Sequence, residues 1–419
     1  MGSASPSCVS SAKPAPHVFR RAWPSRRAKK GRPKQPVLRS KGGLRHADPS
    51  DILGLVVRFV GAHRAVYAIS RGPQPDSGQP VVSDIKLSVI IPTHNRANEL
   101  ADTLACLQRQ SLAAAEYEIV VVDDGSSPPV RLPENKENPS CSLVRLEGVE
   151  RSAARNAGAA AAKGRFIVFV DDDISVGTDF LEVHLRAHAE WCDALVVGQV
   201  RLPNNFLVTP FGRFRQKLEQ CGIPQTRGLK TRRNLCTAAN MSVPRDLFHR
   251  LGGFDCLLTS SEDQDFALRH TAREGKIAFI PEAEAIHNDN ALDIGSYCSR
   301  AEWGAEHMVA FCKRYPDWPD NVERETVNGP VRWGREPFSH IARKISKTVL
   351  GFSPVEGTLF VFASLLEDLA PNSRALDRLY RWLLGISILR GYRKGLNRYR
   401  VEAERETSGA QRVVAEPRS

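Results

Sequence analysis

Short runs of β-branched and aromatic residues recur through the middle of the chain, each closed by polar or acidic residues. Leu87-Ser-Val-Ile-Ile-Pro92, Tyr117-Glu-Ile-Val-Val-Val122 and Phe166-Ile-Val-Phe-Val170 are too short for helices and read as buried strands. Between them, Arg96 to Gln110 places Leu100, Leu104 and Leu107 on one helical face. Ser152 to Lys163 is an Ala-rich helix ended by Gly164. Ser142 to Glu147 and residues 194–201 predict further strands, and 202–235 is irregular and basic. Thr237 to Val243 returns to the core, Pro244 opens a short helix, and Leu251 to Asp255 makes a turn. Glu262 to Glu274 is helical, with short strands near 276–280 and 283–287. Strands alternating with helices at this spacing predict an α/β fold, a doubly wound and mainly parallel, Rossmann-like sheet. Ligands of such sheets bind beyond the carboxyl ends of the strands.

Two acidic clusters fall at those ends. Asp123-Asp124 closes the second strand and Asp171-Asp172-Asp173 closes the run that begins at Phe166. Three adjacent carboxylates repel and raise one another's pKa unless a cation neutralises them. Mg²⁺ or Mn²⁺, hard ions that take oxygen ligands and also hold substrate phosphates, are the natural counter-charge. Both clusters are expected to face one crevice.

Composition changes this picture little. The chain has 419 residues, 42% of them hydrophobic, so a sizeable core can be buried. The formal charge of +12 hints at nucleic acid until it is located: residues 1–50 hold twelve Lys/Arg against a single acid, Asp48. The charge belongs to an N-terminal tail without hydrophobic periodicity, expected to be disordered together with a linker up to residue 84. That tail reads equally as a transit peptide, a surface-binding arm or a misassigned start. Nine scattered cysteines form no metal-finger spacing and fit a reducing compartment. No run of 18 apolar residues predicts a transmembrane helix.

Eight short motifs follow in order: Val89-Ile-Ile-Pro-Thr-His-Asn-Arg96, Val121-Val-Asp-Asp-Gly-Ser126, Arg155-Asn-Ala-Gly158, Phe169-Val-Asp-Asp-Asp173, Asn240-Met-Ser-Val243, Gly252-Gly-Phe-Asp255, Glu262-Asp263 and His287. With them the chain from about Leu87 to His287 resembles glycosyltransferase family 2, inverting enzymes of the GT-A fold that use nucleotide sugars. The resemblance implies a UDP, dTDP or GDP sugar as donor and a glycan or lipid-linked acceptor. It places Asp124 on the base, with Pro92, Thr93, Asn95, Arg96, Arg155 and Asp172 around the nucleotide. Asp171 would hold sugar or ribose hydroxyls, and Asp173 would touch the Mg²⁺ or Mn²⁺, with His287 completing the metal site. Asp263 would be the general base that takes the acceptor's proton; the alternative for that residue is a negative helix N-terminus, and Asp265 is a competitor.

The polymerising members carry a Gln-x-x-Arg-Trp motif and membrane helices. Here Gln264-Asp-Phe-Ala-Leu-Arg-His270 lacks the Trp, which predicts single addition. The catalytic domain is expected at 85–290, a helical extension at 291–400 and a disordered tail at 401–419. Within the extension, Ser296 to Lys313 reads as a helix, and Leu359 to Leu366 is apolar but too short to span a bilayer. Arg374 to Arg400 is basic and amphipathic: it is expected either to contact a membrane surface peripherally or to pack on the catalytic domain. Location in the cytoplasm, at the inner face of the cell membrane, follows from these readings. A non-catalytic nucleotide-sugar binder and a nucleic-acid-binding protein are the alternatives; the position of the basic charge weighs against the latter, so no nucleic acid is expected.

Overall fold

The computed structural model describes residues 85–132, 139–230, 235–289 and 293–414, with side chains described up to residue 401. The N-terminal tail and linker expected at 1–84 lie outside them. Nine strands form one sheet: β1 (Leu87–Thr93), β2 (Tyr117–Asp124), β3 (Ser140–Leu146), β4 (Phe166–Val170), β5 (Ile174–Val176), β6 (Leu195–Arg201), β7 (Gly228–Lys230), β8 (Asn240–Pro244) and β9 (Ile277–His287). Their order is β3-β2-β1-β4-β8-β6-β9-β5, with β7 also paired to β9. The half from β3 to β4 is parallel throughout, as the βα alternation predicts. β8 then enters antiparallel to β4 and β6, while β6 and β9 run parallel.

Alternation along each strand sorts its side chains into two cores. Val89 and Ile91 of β1 face α1 (Ala97–Leu107) and α3 (Phe180–Glu190), where Leu100, Leu104, Leu107, Phe180 and Leu181 cover them. Ile90, Val120, Val122 and Phe169 face the other way. They meet α2 (Arg151–Ala161), α5 (Arg245–Arg250) and α6 (Glu262–Thr271). Each fully buried Val, Ile or Phe contributes roughly 1.5–3 kcal/mol. Gly158 is what lets α2 approach: a Cβ there would lie 2.4 Å from Ile90 Cγ2 and 2.9 Å from Val122 Cγ2.

The Asn240-Met-Ser-Val243 motif has a structural use. Asn240 donates from Nδ2 to the carbonyls of Gln199 and Ala283, and its Oδ1 lies 3.1 Å from His184 Nε2. Ser242 Oγ lies 2.8 Å from both His184 Nδ1 and His188 Nε2. Burial holds both imidazoles below their ordinary pKa, His184 at about 4 and His188 at about 3. They are neutral hydrogen-bonding groups that tie α3 to the sheet.

Two expectations need correction. Residues 202–235 are not wholly irregular: Thr209 caps α4 (Pro210–Glu219) by accepting from the Gly212 N–H, with Pro210 at the first helical position. The two strands expected near 276–280 and 283–287 are one, β9, whose pairing to β6 shifts register at Gly198/Gln199.

The C-terminal part is helical: α7 (Ile294–Arg314), α8 (Pro319–Asn328), α9 (Phe338–Leu350), α10 (Ser353–Leu369) and α11 (Arg374–Val414). Phe211 and Phe214 of α4 join its core with Ile294, Leu376, Tyr380 and Leu383. The basic stretch 374–400 does not form a free surface helix. It packs along α7, with Arg390 and Lys394 paired to Glu302, Arg398 to Glu306, and Arg390 also to Glu356. Acids on the facing helices supply its counter-charge, which favours packing over the membrane contact held as the other reading of this stretch. α11 also continues to Val414 instead of ending at 400, because Glu402, Ala403, Glu404 and Arg405 are good helix formers; residues 415–419 lie outside the description. Among the described residues no single helix is long and apolar enough to cross a membrane.

Gly158→Val is expected to destabilise the domain by about 1–3 kcal/mol through overpacking against Ile90 and Val122, measured as a lower midpoint in urea unfolding. An unchanged midpoint would mean that α2 can move away at no cost.

Candidate active site

The parallel register brings the carboxyl ends of β1, β2 and β4 to one rim, with Thr93 beside Asp123 and Asp123 beside Arg145. Asp123 is fully buried and structural: it accepts the N–H groups of Ser126 and Val130 at 2.9 and 3.0 Å and pairs with Arg145. These contacts outweigh its burial and hold its pKa below the ordinary value. Asp124 turns the other way. Its two oxygens accept from the backbone N–H of Val149 at 2.6 Å and Glu150 at 3.1 Å, just ahead of α2. The carboxylate is thereby fixed at the mouth of the cleft, with lone pairs remaining for a ligand N–H.

The second cluster follows β4. Thr103 Oγ1 of α1 lies 2.8 Å from the Asp172 carbonyl and accepts the Ile174 N–H at 3.1 Å, locking the turn. Thr93 Oγ1 donates to Asp172 at 2.7 Å, and Arg96 spans Asp172 and Asp173 at 2.9 and 2.7 Å. Burial still raises the Asp172 pKa to about 6. Burial would raise Asp173 as well, but His287 and then Arg96 outweigh it and hold that carboxyl far below its usual range. His287 closes the far side from the end of β9. It is lowered by burial but raised further by Asp173, so its net shift is upward.

Asp171, Asp173 and His287 offer two carboxylate oxygens and an imidazole nitrogen, all within 4.8 Å of one another. Asp173 Oδ1 is buried without a well-formed hydrogen bond, 3.2 Å from His287 Nε2. A hard or borderline divalent cation fits that donor set and that orphaned oxygen.

Beneath this floor lies a second electrostatic layer. Arg155, 2% exposed, donates to Asp171 at 2.7 Å and to Glu262 at 2.8 Å. Asp263 is half-buried next to Glu262 and accepts the Gln264 N–H at 2.7 Å. Burial, then the Glu262 charge, push its pKa up to about 7 against the opposing pull of Arg155. Asp265 is excluded as its competitor: it is fully buried and occupied by Arg269 at 2.8 Å, Tyr315 at 2.7 Å and Arg314 at 3.3 Å.

A cavity of about 600 Å³ opens over the rim. Pro92, Thr93, Arg96, Asp124, Asp171, Asp172, Asp173 and His287 all contribute to its wall. Three expected site residues do not. Asn95 holds two loops together, donating its N–H to Ser126 Oγ and accepting the Ser127 N–H on its side chain. Arg155 is buried beside the cavity and pairs with Asp171 and Glu262, with its Nε left without a partner among the described residues. Asp263, partly exposed, is not on this wall and is linked to it through the Arg155 charge. Residues the sequence reading passed over do line the cavity: His94, Glu150, Arg151, Asp289 and Arg300. His94 sat inside a quoted motif. Asp289, paired with Arg215 of α4 and Arg300 of α7, lies beyond the last one.

Three non-glycine residues flank the site with left-handed φ: Asn95 (55°) before α1, Glu150 (76°) before α2 and Ser261 (69°) before α6.

Comparison with known proteins bears on this site. Residues 88–251 match the sequence profile described as Glycosyl transferase family 2. The validoxylamine A glucosyltransferase of Streptomyces hygroscopicus subsp. jinggangensis is 37% identical over 115 residues, which are 26% of this chain and 27% of that protein. An uncharacterized glycosyltransferase of Haemophilus influenzae is 28% identical over 194 residues, 44% of this chain and 61% of that one. The chain therefore spans less than two thirds of the length of these curated relatives. The crystal structure of S. aureus TarS 1-349 aligns with a TM-score of 0.40 at 17% identity, covering 76% of this chain and 92% of that chain.

Asp173→Asn is expected to weaken Mn²⁺ binding by at least about 10–100-fold in titration calorimetry, and equal affinity would remove Asp173 from the metal site. Arg155→Met leaves the buried Glu262 and the partly exposed Asp171 without their guanidinium and is expected to cost about 3 kcal/mol in chemical unfolding. Intact stability with lost nucleotide affinity would instead assign Arg155 to ligand binding.

Proposed function

Because residues 88–251 form a glycosyl transferase family 2 domain, we propose that this chain moves a sugar from a nucleoside-diphosphate donor to a hydroxyl of a glycan or lipid-linked acceptor. Transfer inverts the anomeric centre and adds one sugar at a time. The observation that carries this reading is the convergence of Asp124, Asp171, Asp173 and His287 on one cavity wall, with Asp263 coupled to it through Arg155.

Each residue has a task on this reading. Asp124, fixed by two backbone amides, accepts a hydrogen bond from the base edge, and Thr93 and Arg96 border the same space. Asp171 receives sugar or ribose hydroxyls while Arg155 keeps it ionised, its pKa lowered against burial chiefly by that guanidinium. Asp173 and His287 would hold Mg²⁺ or Mn²⁺, whose charge, when bound, stabilises the departing diphosphate. The acceptor oxygen attacks the anomeric carbon, the bond from that carbon to the phosphate oxygen breaks, and its electron pair leaves with the diphosphate. Asp263 takes the acceptor's proton. A carboxyl pushed up to about 7 is a far better base than an ordinary aspartate, and it is half ionised near neutral pH.

Placement in the cytoplasm, at the inner membrane face, is part of the same proposal. Its support is a set of eight free cysteines without a disulfide among the described residues.

Asp263→Asn is expected to lower kcat by about 10²–10⁴ while donor binding persists. In the parent enzyme kcat/KM should fall as pH drops below about 7, where Asp263 protonates. The stability sign runs the other way. A carboxyl whose pKa is raised by folding costs stability as pH rises from the ordinary carboxylate value to about 7. The Asn variant should therefore melt no lower than the parent at pH 8. Full turnover by the variant would refute the assignment, whereas loss of both turnover and melting temperature would assign Asp263 to structure.

A further inference from the structure

Helices α9 and α10 each turn an apolar stripe outward, although α10 also sets Leu359, Phe360 and Leu366 against the core. α9 buries Ile341, Lys344 and Lys347 and turns Phe338, Ile345 and Val349 outward, a stripe that Phe352 continues. α10 buries Glu356 and Ala363 and exposes Val355, Val361, Phe362, Leu365 and Leu369. Phe338 and Leu369, near the two ends, are each 81% exposed. A helix facing water presents the reverse pattern. Of the three acids in α9 and α10, Glu356 is occupied by Arg390 and Glu367 by the Tyr380 hydroxyl, while Asp368 is exposed next to Leu369. Taken together the two helices have the length and apolar composition of a membrane segment, but an 89° bend separates them, so they do not form one straight span.

A second feature adjoins this surface. A cleft of about 290 Å³ between α9 and α11 is walled by Lys347, Thr348, Arg390, Arg393, Lys394 and Asn397, among others, and among the described residues no carboxylate lines it. Arg390 and Lys394 are neutralised by Glu302 and Glu356. Arg393 donates to Thr348 Oγ1, a neutral partner. Lys347, 4% exposed, has no carboxylate beside it among the described residues, and burial followed by the Arg343 charge lowers its pKa to about 8. A buried ammonium without an anion is costly and calls for one. Thr348 and Gly351 wall the cleft, while Val349 and Phe352, next to them in sequence, belong to the exposed stripe.

We propose that α9 and α10 lie in the interface of an anionic phospholipid bilayer, with the apolar stripe at the acyl boundary and a lipid phosphate in the cleft against Lys347 and Arg393. A second copy of the chain could cover the stripe but would leave the cationic cleft without its anion. This site does not depend on the glycosyltransferase reading. It also differs from the 374–400 face, whose basic residues at 390, 394 and 398 the fold itself neutralises.

The full-length chain should co-float at physiological salt with phosphatidylcholine vesicles that contain phosphatidylglycerol, and much less with phosphatidylcholine alone. The double variant Phe362→Asp/Leu365→Asp, altered only at exposed positions, should stay at the bottom of the gradient with an unchanged melting curve. Lys347→Met and Arg393→Gln should each weaken binding to the anionic vesicles by about fivefold and leave the weak binding to neutral vesicles as it was. The proposal is overturned if the parent chain does not float with anionic vesicles, or if the Asp double variant floats equally well. It is also overturned if sedimentation shows a dimer that the double variant dissociates while flotation is unaffected.

Discussion

Carboxylates gathered at the ends of parallel strands can stay in a folded chain only if cations are built in around them, and that requirement organises this protein. Arg155 is held in α2 so that one guanidinium answers Asp171 above and Glu262 below. Arg96 does the same across Asp172 and Asp173 from the start of α1. The helices on both faces of the sheet are thus positioned by charge as well as by apolar packing. Gly158, one turn beyond Arg155, sets how closely α2 sits on β1 and therefore where the guanidinium arrives.

The arrangement separates two kinds of acid. Asp123, Glu262 and Asp265 are fully used by partners of the fold, whereas Asp124, Asp171 and Asp173 present oxygens to the cavity. Asp263 falls between the groups, close to the charge network but bonded to no cation. Its elevated pKa is the result, since burial and a like-charged neighbour act on it with only distant relief.

Much of this was legible before any coordinates. The runs at Leu87, Tyr117 and Phe166 announce buried strands by composition alone, and the acids that end them mark the rim. What could not be read is which charges meet. Arg155 and Glu262 lie 107 positions apart, and nothing local to either shows that they pair. α4 was hidden because its basic residues obscured the Thr209-Pro210 start signal. The stretch 374–400 left two readings open because its amphipathic pattern is real while its counter-charges sit far off in sequence, on α7 and α10. The apolar run Leu359 to Leu366 was visible, but which of its residues face outward was not, because periodicity does not say which side of a helix meets the core.

The left-handed residues Asn95, Glu150 and Ser261 stand where the chain enters the three helices that carry Arg96, Arg155 and Asp263. Each holds a torsion that a side chain resists by about 1–3 kcal/mol and that glycine would adopt freely. Glycine at Glu150 or Ser261 would relieve that torsion, whereas at Asn95 it would also remove the side chain that accepts the Ser127 N–H. The same exchange would loosen the angles at which the helices leave the sheet, so resilience gained there trades against alignment of the reacting groups.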